Sequence, residues 1–198
     1  MADAGVGLLA EPRLDSSGGI AQLVEREGDR LYRLALRITG MEKDAGEVIE
    51  DTLRAAVDAV DAGQSTLGPW VYRTVARAAH ERRRRRQPVD AAVLDGSMPR
   101  LSADGHFEPM VDWSNWIEES DPRARLAQAF AAAIDELPAD YRTALILHDV
   151  EGASKTEIAD ILTVEAPAVS SRVHRARLFV RERLSRHFER ETFTRSKA

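Results

Sequence analysis

The sequence predicts an all-α protein of two small helical domains joined by a long, acidic and mostly irregular linker. Apolar residues recur every three or four positions within residues 20–87 and again within 122–190, which is the period of a helix with one buried face. Residues 88–121 lack this period, contain three prolines and are acidic on balance. Because so long an irregular stretch is unusual inside one compact domain, we expect it to separate two domains.

The first domain begins after a tail and contains three predicted helices. Residues 1–19 are rich in Gly, Ala and Asp without any period, so we expect them to be disordered. A first helix is predicted from about Ile20 to Ile38, with Gly40 as its stop, and a second from about Glu42 to Asp61. The second helix has an acidic outer face, and for a single helix the simplest interpretation is exposure to solvent.

The third predicted helix is basic and aromatic. It opens at Pro69, extends through the five arginines 82–86 and ends before Pro88. We expect that five consecutive arginines around a helix cannot all find acidic partners in a small domain, so they are either solvated or bound to phosphate. Aromatic residues together with such a run favour unpaired nucleic-acid strands, which need both stacking and charge. The alternative is a localisation signal or a solubilising segment.

The second domain contains four predicted helices. Asp121 and Pro122 form a cap and first-turn pair that starts the fourth helix, and Pro138 ends it. A fifth helix is predicted over residues 140–150, and residues 191–198 are expected to form a frayed tail. The expected buried stripe of the fourth helix consists of Leu126, Phe130, Ala133, Ile134 and Leu137.

The stretch from Ser154 to Arg177 predicts a helix-turn-helix. Ser154 and Glu157 form a capping box that starts the first helix, and Pro167 suits the first turn of the second. The outer face of the second helix carries Ser170, Ser171, Arg172, His174, Arg175 and Arg177. In such a motif arginine pairs with guanine edges in the major groove, while serine and arginine hold phosphates. The alternative is an ordinary amphipathic helix with a solvated arginine face.

The turn of this motif departs from the usual composition. A glycine normally provides its left-handed residue, and the nearest candidate here is the β-branched Thr163. The sequence therefore leaves open a wider turn or a Thr163 that avoids positive φ.

Composition limits the classes of function. The 198 residues carry a formal net charge of −5, from 28 Lys and Arg against 33 Asp and Glu, whereas a nucleic-acid binder is usually basic. The absence of cysteine excludes disulfides, zinc–thiolate sites and thiol redox sensing. Without a long apolar run or an export signal, we expect a cytoplasmic protein. The five histidines are dispersed, so no metal site is expected, and neither a cofactor nor an enzyme activity is predicted.

Two parts of the chain resemble one known family. Two consecutive stretches resemble region 2 of the sigma-70 family of RNA polymerase sigma factors. They are LYRLALRITGMEKDAGEVIEDTLRAAVDAV and PWVYRTVARAAHERRRRR. A later stretch resembles region 4 of the same family: DELPADYRTALILHDVEGASKTEIADILTVEAPAVSSRVHRAR. A chain with these two regions and a linker between them is similar to the extracytoplasmic-function (ECF) sigma factors of bacteria.

The resemblance implies a subunit that confers promoter specificity on RNA polymerase, which performs the chemistry. It implies three partners: core polymerase through its β′ and β subunits, promoter DNA, and an anti-sigma factor. In the family the acidic linker runs toward the RNA exit channel. The two promoter elements lie about 25 base pairs apart, or roughly 85 Å of DNA. An extended linker of this length reaches about 110 Å.

The resemblance also implies which residues make each contact. The clamp helices of β′ would bind Asp44, Glu47, Val48, Glu50, Asp51, Leu53 and Arg54. The −10 element would be melted and its non-template strand held by Ser65, Thr66, Trp70, Tyr72, Arg73, Arg77, His80, Arg82, Arg83, Arg84, Arg85 and Arg86. The −35 duplex would be read by Pro167, Ser170, Ser171, Arg172, His174, Arg175 and Arg177.

The sequence departs from the family pattern at several positions. Glu50 replaces a usual glutamine, and Glu165 stands where a capping serine is common, so it would repel nearby phosphate. Two alternatives to a sigma subunit remain: a helix-turn-helix regulator that acts without replacing a sigma factor, and a protein that binds polymerase but not DNA.

Overall fold

The computed structural model describes residues 16–61, 67–87 and 122–195, which contain helices and turns and no strand. The predicted all-α class is therefore confirmed for these residues. The N-terminal module consists of α1 (Ser16–Thr39), α2 (Glu42–Asp61) and α3 (Leu67–Arg86). The C-terminal module consists of α4 (Pro122–Asp135), α5 (Ala139–Leu145) with its π-helical continuation (Ile146–Val150), α6 (Lys155–Leu162) and α7 (Ala166–Arg195). The predicted linker, 88–121, lies outside the described residues.

Three helix ends differ from the predicted ones. Helix α1 begins at Ser16, within the predicted tail, rather than near Ile20. Helix α3 begins at Leu67 rather than Pro69; Leu67 is buried, and Pro69 falls in the first turn, where an N–H has no intrahelical partner. Helix α7 continues to Arg195, because neither glycine nor proline interrupts the residues after 190.

The N-terminal module packs α1, α2 and α3 around one apolar core. Leu34 and Ile38 of α1 meet Val48 of α2 and Val75 of α3, each 2% exposed or less. Gly40 turns the chain between α1 and α2 with φ +72, a value that glycine adopts without the penalty of a side chain. Its N–H donates to the backbone oxygen of Leu36 over 2.7 Å and so ends α1.

The C-terminal module has a smaller core between α4 and α7. Phe179 of α7 packs with Ala129, Ala133 and Leu137, which recur every four residues. The predicted stripe of α4 is therefore wrong in its first half, since Leu126 is 39% exposed and Phe130 is 42% exposed. Alanines on the facing side allow α4 to approach α7 closely, and this rotates the two larger side chains outward.

The two modules pack directly on each other, which the sequence did not predict. One continuous apolar cluster contains Val71 and Val75 of α3 together with Ile146, Leu147 and Ile158 of the C-terminal module. Helix α3 contacts both α5 and α6, and α1 also contacts α5. Within the described residues, no helix combines the length and apolar character needed to cross a membrane.

Candidate functional site

The helix-turn-helix begins as predicted. The N–H of Glu157 donates to the Ser154 hydroxyl over 3.2 Å, and the N–H of Ser154 donates to the Glu157 carboxylate over 2.8 Å. Two N–H groups that lack an intrahelical partner are thereby satisfied at the start of α6. The capping box predicted from the sequence is confirmed.

Thr163 takes the left-handed conformation between α6 and α7, with φ 55 and ψ 53. Its N–H and that of Val164 both bond to the backbone oxygen of Ala159. The open alternative in which Thr163 avoids positive φ is therefore wrong. Because its β-carbon crowds the following carbonyl, this conformation costs roughly 1–2 kcal/mol.

Helix α7 separates an apolar face from a polar one. Its inward residues Val169, Val173 and Ala176 are buried. Six of the seven residues predicted to read duplex DNA are exposed: Pro167, Ser170, Ser171, His174, Arg175 and Arg177. The C-terminal module therefore presents hydroxyl and guanidinium groups side by side along one helix.

Two arginines of this face already have acidic partners. Arg172 is less exposed than its neighbours and places Nη2 2.8 Å from Asp140 Oδ2. Arg177 donates from Nε to Asp149 Oδ2 over 2.9 Å. This hydrogen bond lowers the pKa of Asp149 and raises the pKa of Arg177, since each charge stabilises the other. DNA would have to displace or tolerate these two carboxylates.

The residues predicted to hold the −10 strand do not form one exposed surface, because some of them are buried. Arg73 and Arg77 are exposed and Trp70 is half-buried, whereas Tyr72 is 1% exposed and His80 is 3% exposed. Burial raises the pKa of the Tyr72 phenol, chiefly by desolvation. His80 is covered by the C-terminal module, where its ring meets Thr143 and Asp140, and the sequence could not show this. Ser65 and Thr66 lie outside the described residues.

Within the arginine run of α3, most members find partners inside the chain. Arg82 pairs with Glu47 and Asp51 of α2. Arg86 pairs with Asp44 of α2. Arg84 pairs with Glu81 on its own helix at 3.1 Å, and Arg85 is exposed. The expectation that the arginines are only solvated or bound to phosphate is therefore incomplete, because α2 supplies acidic partners across the helix–helix groove.

Arg83 differs from the rest of the run because it is buried. Its guanidinium donates to the backbone oxygens of Thr39 (3.1 Å), Asp135 (2.6 Å) and Leu137 (3.3 Å). Burial lowers the pKa of Arg83 to about 10, so it remains charged at neutral pH. Arg83 is 3% exposed, and in this structure it is not available to a phosphate.

The acidic face of α2 is largely accessible. Glu50, Asp51 and Arg54 are exposed, and Arg54 bonds to the other two at 2.7 and 3.2 Å. Asp44, Glu47 and Leu53 are half-buried. Val48 is 2% exposed and belongs to the core, so the structure does not present it to a partner.

Sequence reasoning missed four acidic residues of the C-terminal module. Asp140, Asp149, Glu151 and Asp160 contact arginines or a histidine that lie 28 to 114 residues away along the chain. No local period links residues so far apart, so no sequence signal was available. The described residues contain no group of three or more His, Cys, Asp or Glu placed to hold a metal ion.

Comparisons with known proteins agree with this geometry. Residues 23–89 match the family profile described as Sigma-70 region 2, and residues 127–180 match Sigma-70, region 4. The chain is 31% identical over 153 residues to the ECF RNA polymerase sigma factor EcfG of Rhodopseudomonas palustris, covering 74% of this chain and 75% of that protein. It is 32% identical over 167 residues to the ECF RNA polymerase sigma factor SigE of Mycolicibacterium smegmatis, covering 84% of this chain. The chain spans 62% of the length of SigE and 49% of that of SigG from Mycobacterium tuberculosis.

Two solved structures have the same fold. The sigma factor RpoE in complex with the anti-sigma factor NepR from Bartonella quintana matches with a TM-score of 0.54 and 26% identity, covering 83% of this chain and 95% of that one. CnrH in complex with the cytosolic domain of CnrY matches with a TM-score of 0.52 and 22% identity, covering 83% and 86%. The second match bears on the fold alone.

Proposed function

From the premise that this chain belongs to the ECF group of the sigma-70 family, we propose that it is a promoter-specificity subunit of bacterial RNA polymerase. The single observation that carries this proposal is the presence of both matched regions in one chain, in the family's order. Core polymerase performs the polymerisation, and this chain selects where it starts.

The C-terminal module reads the −35 element as duplex. Helix α7 presents Ser170, Ser171 and Arg175 to solvent on the face opposite its buried valines. Such a face fits the major groove, where arginine can form bidentate hydrogen bonds with guanine while hydroxyl groups hold phosphates. Helix α6, fixed by its capping box, supports α7 from behind.

The N-terminal module melts the −10 element and holds its non-template strand. Helix α3 presents the half-buried Trp70 together with the exposed Arg73 and Arg77, a mixture that suits stacking on bases and pairing with phosphates. Its arginine run continues this basic character to the end of the helix.

The acidic face of α2 binds the clamp helices of β′. Support comes from the exposure of Glu50 and Asp51, whose charges are only partly neutralised by Arg54. Core polymerase also binds through β. An anti-sigma factor is a further partner, since the RpoE structure similar to this chain contains one.

A helix-turn-helix regulator that is not a sigma subunit is the second candidate. The observation that favours it is the exposure of the polar face of α7. Such a regulator would need only its C-terminal module. The N-terminal module, which matches region 2, would then have no assigned function.

Reconstitution distinguishes the two candidates. The purified chain is mixed with bacterial core polymerase and fragmented genomic DNA of its source, and the 5′ ends of the transcripts are mapped. A sigma subunit gives discrete start sites that disappear when the chain is omitted, whereas a regulator gives none with core enzyme alone. A chain that neither co-elutes with core enzyme nor directs transcription would contradict the proposal.

A further inference from the structure

Arg177 and Asp149 form a two-pronged ion pair at the edge of the DNA-reading face of α7. Arg177 donates from Nε to Asp149 Oδ2 over 2.9 Å and from Nη2 to Oδ1 over 2.5 Å. Two parallel hydrogen bonds fix the plane of a guanidinium as well as its position. We propose that Asp149 is a positioning residue, which holds the guanidinium of Arg177 so that its other edge binds a phosphate of the −35 duplex. This inference rests on the proposed function of α7 and deepens it.

Arg177 keeps donors for a second partner. Its bonds to Asp149 use Nε and Nη2, and within the described part of the chain Nη1 makes no hydrogen bond. The side chain of Arg177 remains 54% exposed although it is paired. Because a guanidinium has five N–H donors in one plane, it can hold a carboxylate on one edge and a phosphate oxygen on another.

The place of Arg177 along α7 favours a phosphate over a base. Ser170, His174 and Arg177 are all exposed, and their spacing of four and then three residues puts them on one face of the helix. In a helix-turn-helix, the residues near the start of the second helix contact base edges. Arg177 lies seven residues beyond Ser170, or about 10 Å along the helix axis. It therefore lies past the part of α7 that enters the groove, where the sugar–phosphate backbone runs.

Asp149 lies in the π-helical turn that continues α5. The N–H of Glu151 bonds to the backbone oxygen of Ile146 over 3.1 Å, five residues earlier rather than four. Ile146 and Leu147 are 2% and 0% exposed, so the core of the module fixes this turn. The wider turn changes the direction of its side chains from that in an α-helix, and single π-helical turns are frequent at functional sites. In this chain the turn presents Asp149 to Arg177 of α7.

His148 also holds the carboxylate of Asp149. Its Nδ1 lies 2.6 Å from Asp149 Oδ1, and because an ionised carboxylate only accepts, Nδ1 carries the proton and donates. Arg177 Nη2, at 3.4 Å from the same nitrogen, therefore finds no acceptor there and bonds to Asp149 alone. The hydrogen bond from Arg177, aided by that from His148, lowers the pKa of Asp149. Asp149 is thus ionised at neutral pH and held by two residues.

A carboxylate beside DNA has two opposing effects on affinity. Its charge repels phosphate, but Asp149 would lie farther from the phosphate than the guanidinium that it holds, and salt screens exposed charges. Ordering a free arginine during binding lowers affinity by about two- to tenfold, and Asp149 has already ordered this one. We therefore expect the gain from positioning to exceed the repulsion. An exposed ion pair contributes little to folding stability, so the pair has little effect on the fold itself.

Substitution of Asp149 separates positioning from repulsion by the sign of the effect. The probe is a short duplex selected from a random-sequence library by the full chain with core polymerase, and fluorescence anisotropy measures its affinity. Asp149→Asn should weaken binding by about threefold or more. Asp160→Asn, the matched control, removes the same charge from an exposed position of α6 whose bond to Arg77 uses the backbone oxygen, and it should not weaken binding. Stronger or unchanged binding by Asp149→Asn overturns the inference.

A double-mutant cycle shows whether Asp149 acts through Arg177. Arg177→Ala should weaken binding, and Asp149→Asn should cause no further loss in that background. Arg177→Lys keeps the charge but cannot form two parallel bonds with the carboxylate, so it should also weaken binding, by about threefold or more. A substitution that merely damages the module lowers affinity in either background. A loss from Asp149→Asn that persists in Arg177→Ala therefore overturns the positioning role.

Base substitution and salt identify the group that Arg177 holds. When each base pair of the duplex is changed in turn, Arg177→Ala and Asp149→Asn should weaken binding of every duplex by the same factor. The slope of log affinity against log salt should decrease by about one in Arg177→Ala. A loss confined to one base pair overturns the assignment to phosphate.

Transcription separates this inference from the proposed function. A chain that shows the double-mutant cycle but directs no transcription contradicts the proposed function and leaves the role of Asp149 standing. A chain that directs transcription but binds the duplex equally well with Asp149→Asn overturns the inference alone. Failure of the full chain with core polymerase to select any duplex overturns both.

Discussion

The Nε of Arg142 donates to the backbone oxygen of Arg37 over 2.6 Å, so a side chain of the C-terminal module caps the last turn of the first helix. Carbonyl groups in the last turn of a helix lack intrahelical donors, and a cation there also interacts favourably with the helix dipole. Burial lowers the pKa of Arg142, and its hydrogen bond with Asp135 opposes that shift. The contact makes the end of α1 dependent on a residue 105 positions later in the chain.

Replacement of this buried cap should lower stability. Arg142→Met leaves the backbone oxygen of Arg37 without this donor, at a cost of about 2–3 kcal/mol, whereas the oxygen of Ile134 keeps its bond from the N–H of Leu137. Urea unfolding followed by circular dichroism measures the change. Arg175→Met, which alters an exposed residue, should stay within about 0.5 kcal/mol of the parent. Equal effects of the two substitutions would contradict the assignment.

Relief of the strained turn should raise stability. Thr163→Gly removes the β-carbon from a left-handed residue and should stabilise the chain by about 1 kcal/mol, after allowance for the flexibility of glycine. Thr156→Gly, at an exposed position within α6, should instead destabilise by about 0.5 kcal/mol. Thermal unfolding of both variants provides the test, and a loss at position 163 would show that the threonine side chain contributes a contact that outweighs the strain.

Stability should fall in mild acid because of His80. Desolvation lowers the pKa of His80, although Asp140 and Glu81 oppose this and Arg84 and Arg172 reinforce it. The unfolded chain then binds a proton at a higher pH than the folded chain does. The stabilisation is complete above the unfolded pKa of about 6.5 and is lost as the pH falls below it.

The measurement compares unfolding in urea at pH 7.5 and pH 5.5. His80→Gln should lose less stability between the two values than the parent does. His174→Gln, at an exposed position of α7, should retain the parent's full loss. An unchanged pH dependence in His80→Gln would assign the effect to other groups.

Promoter reading should depend on Arg175. In the reconstituted holoenzyme, Arg175→Ala should weaken binding of a mapped −35 duplex by about 1–3 kcal/mol and relax the preference at one base pair. If Arg175 contacts only phosphate, affinity falls uniformly across sequences and the salt dependence decreases. Competition binding with each base substituted in turn separates these results. No change in affinity would remove Arg175 from the reading face.

Binding to core polymerase should depend on the exposed acidic face of α2. Glu50→Arg reverses a charge that Arg54 balances only partly, and it should weaken binding to core enzyme about tenfold, or about 1.4 kcal/mol. Asp58→Arg makes a similar charge change on the same helix outside the predicted contact set. Titration of labelled chain with core enzyme measures both variants, and an equal loss in both would indicate a general charge effect.

The residues whose roles the sequence predicted well are those with local signals. The capping box of Ser154 and Glu157, the stop at Gly40 and the buried valines of α7 all depend on spacings within one or two helical turns. The stripe of α4 shows the limit of this reasoning, since Leu126 and Phe130 are exposed. Helical spacing predicts that one apolar face is buried. It does not identify which face meets the neighbouring helix when one face carries alanines and another carries larger apolar residues.

The sequence by itself determined an all-α chain, the order of its helices, the helix-turn-helix and the membership of the sigma-70 family, because helical period, capping residues and family motifs are written along the chain. The tertiary structure alone decided the partners of the arginines. Arg82 meets Glu47 across 35 residues, Arg77 meets Asp160 across 83, and Arg142 meets Arg37 across 105. The charge of an arginine is fixed by its side chain. Its hydrogen-bond or ion-pair partner, however, depends on which distant helices pack together, and the burial of apolar faces in three dimensions determines that packing.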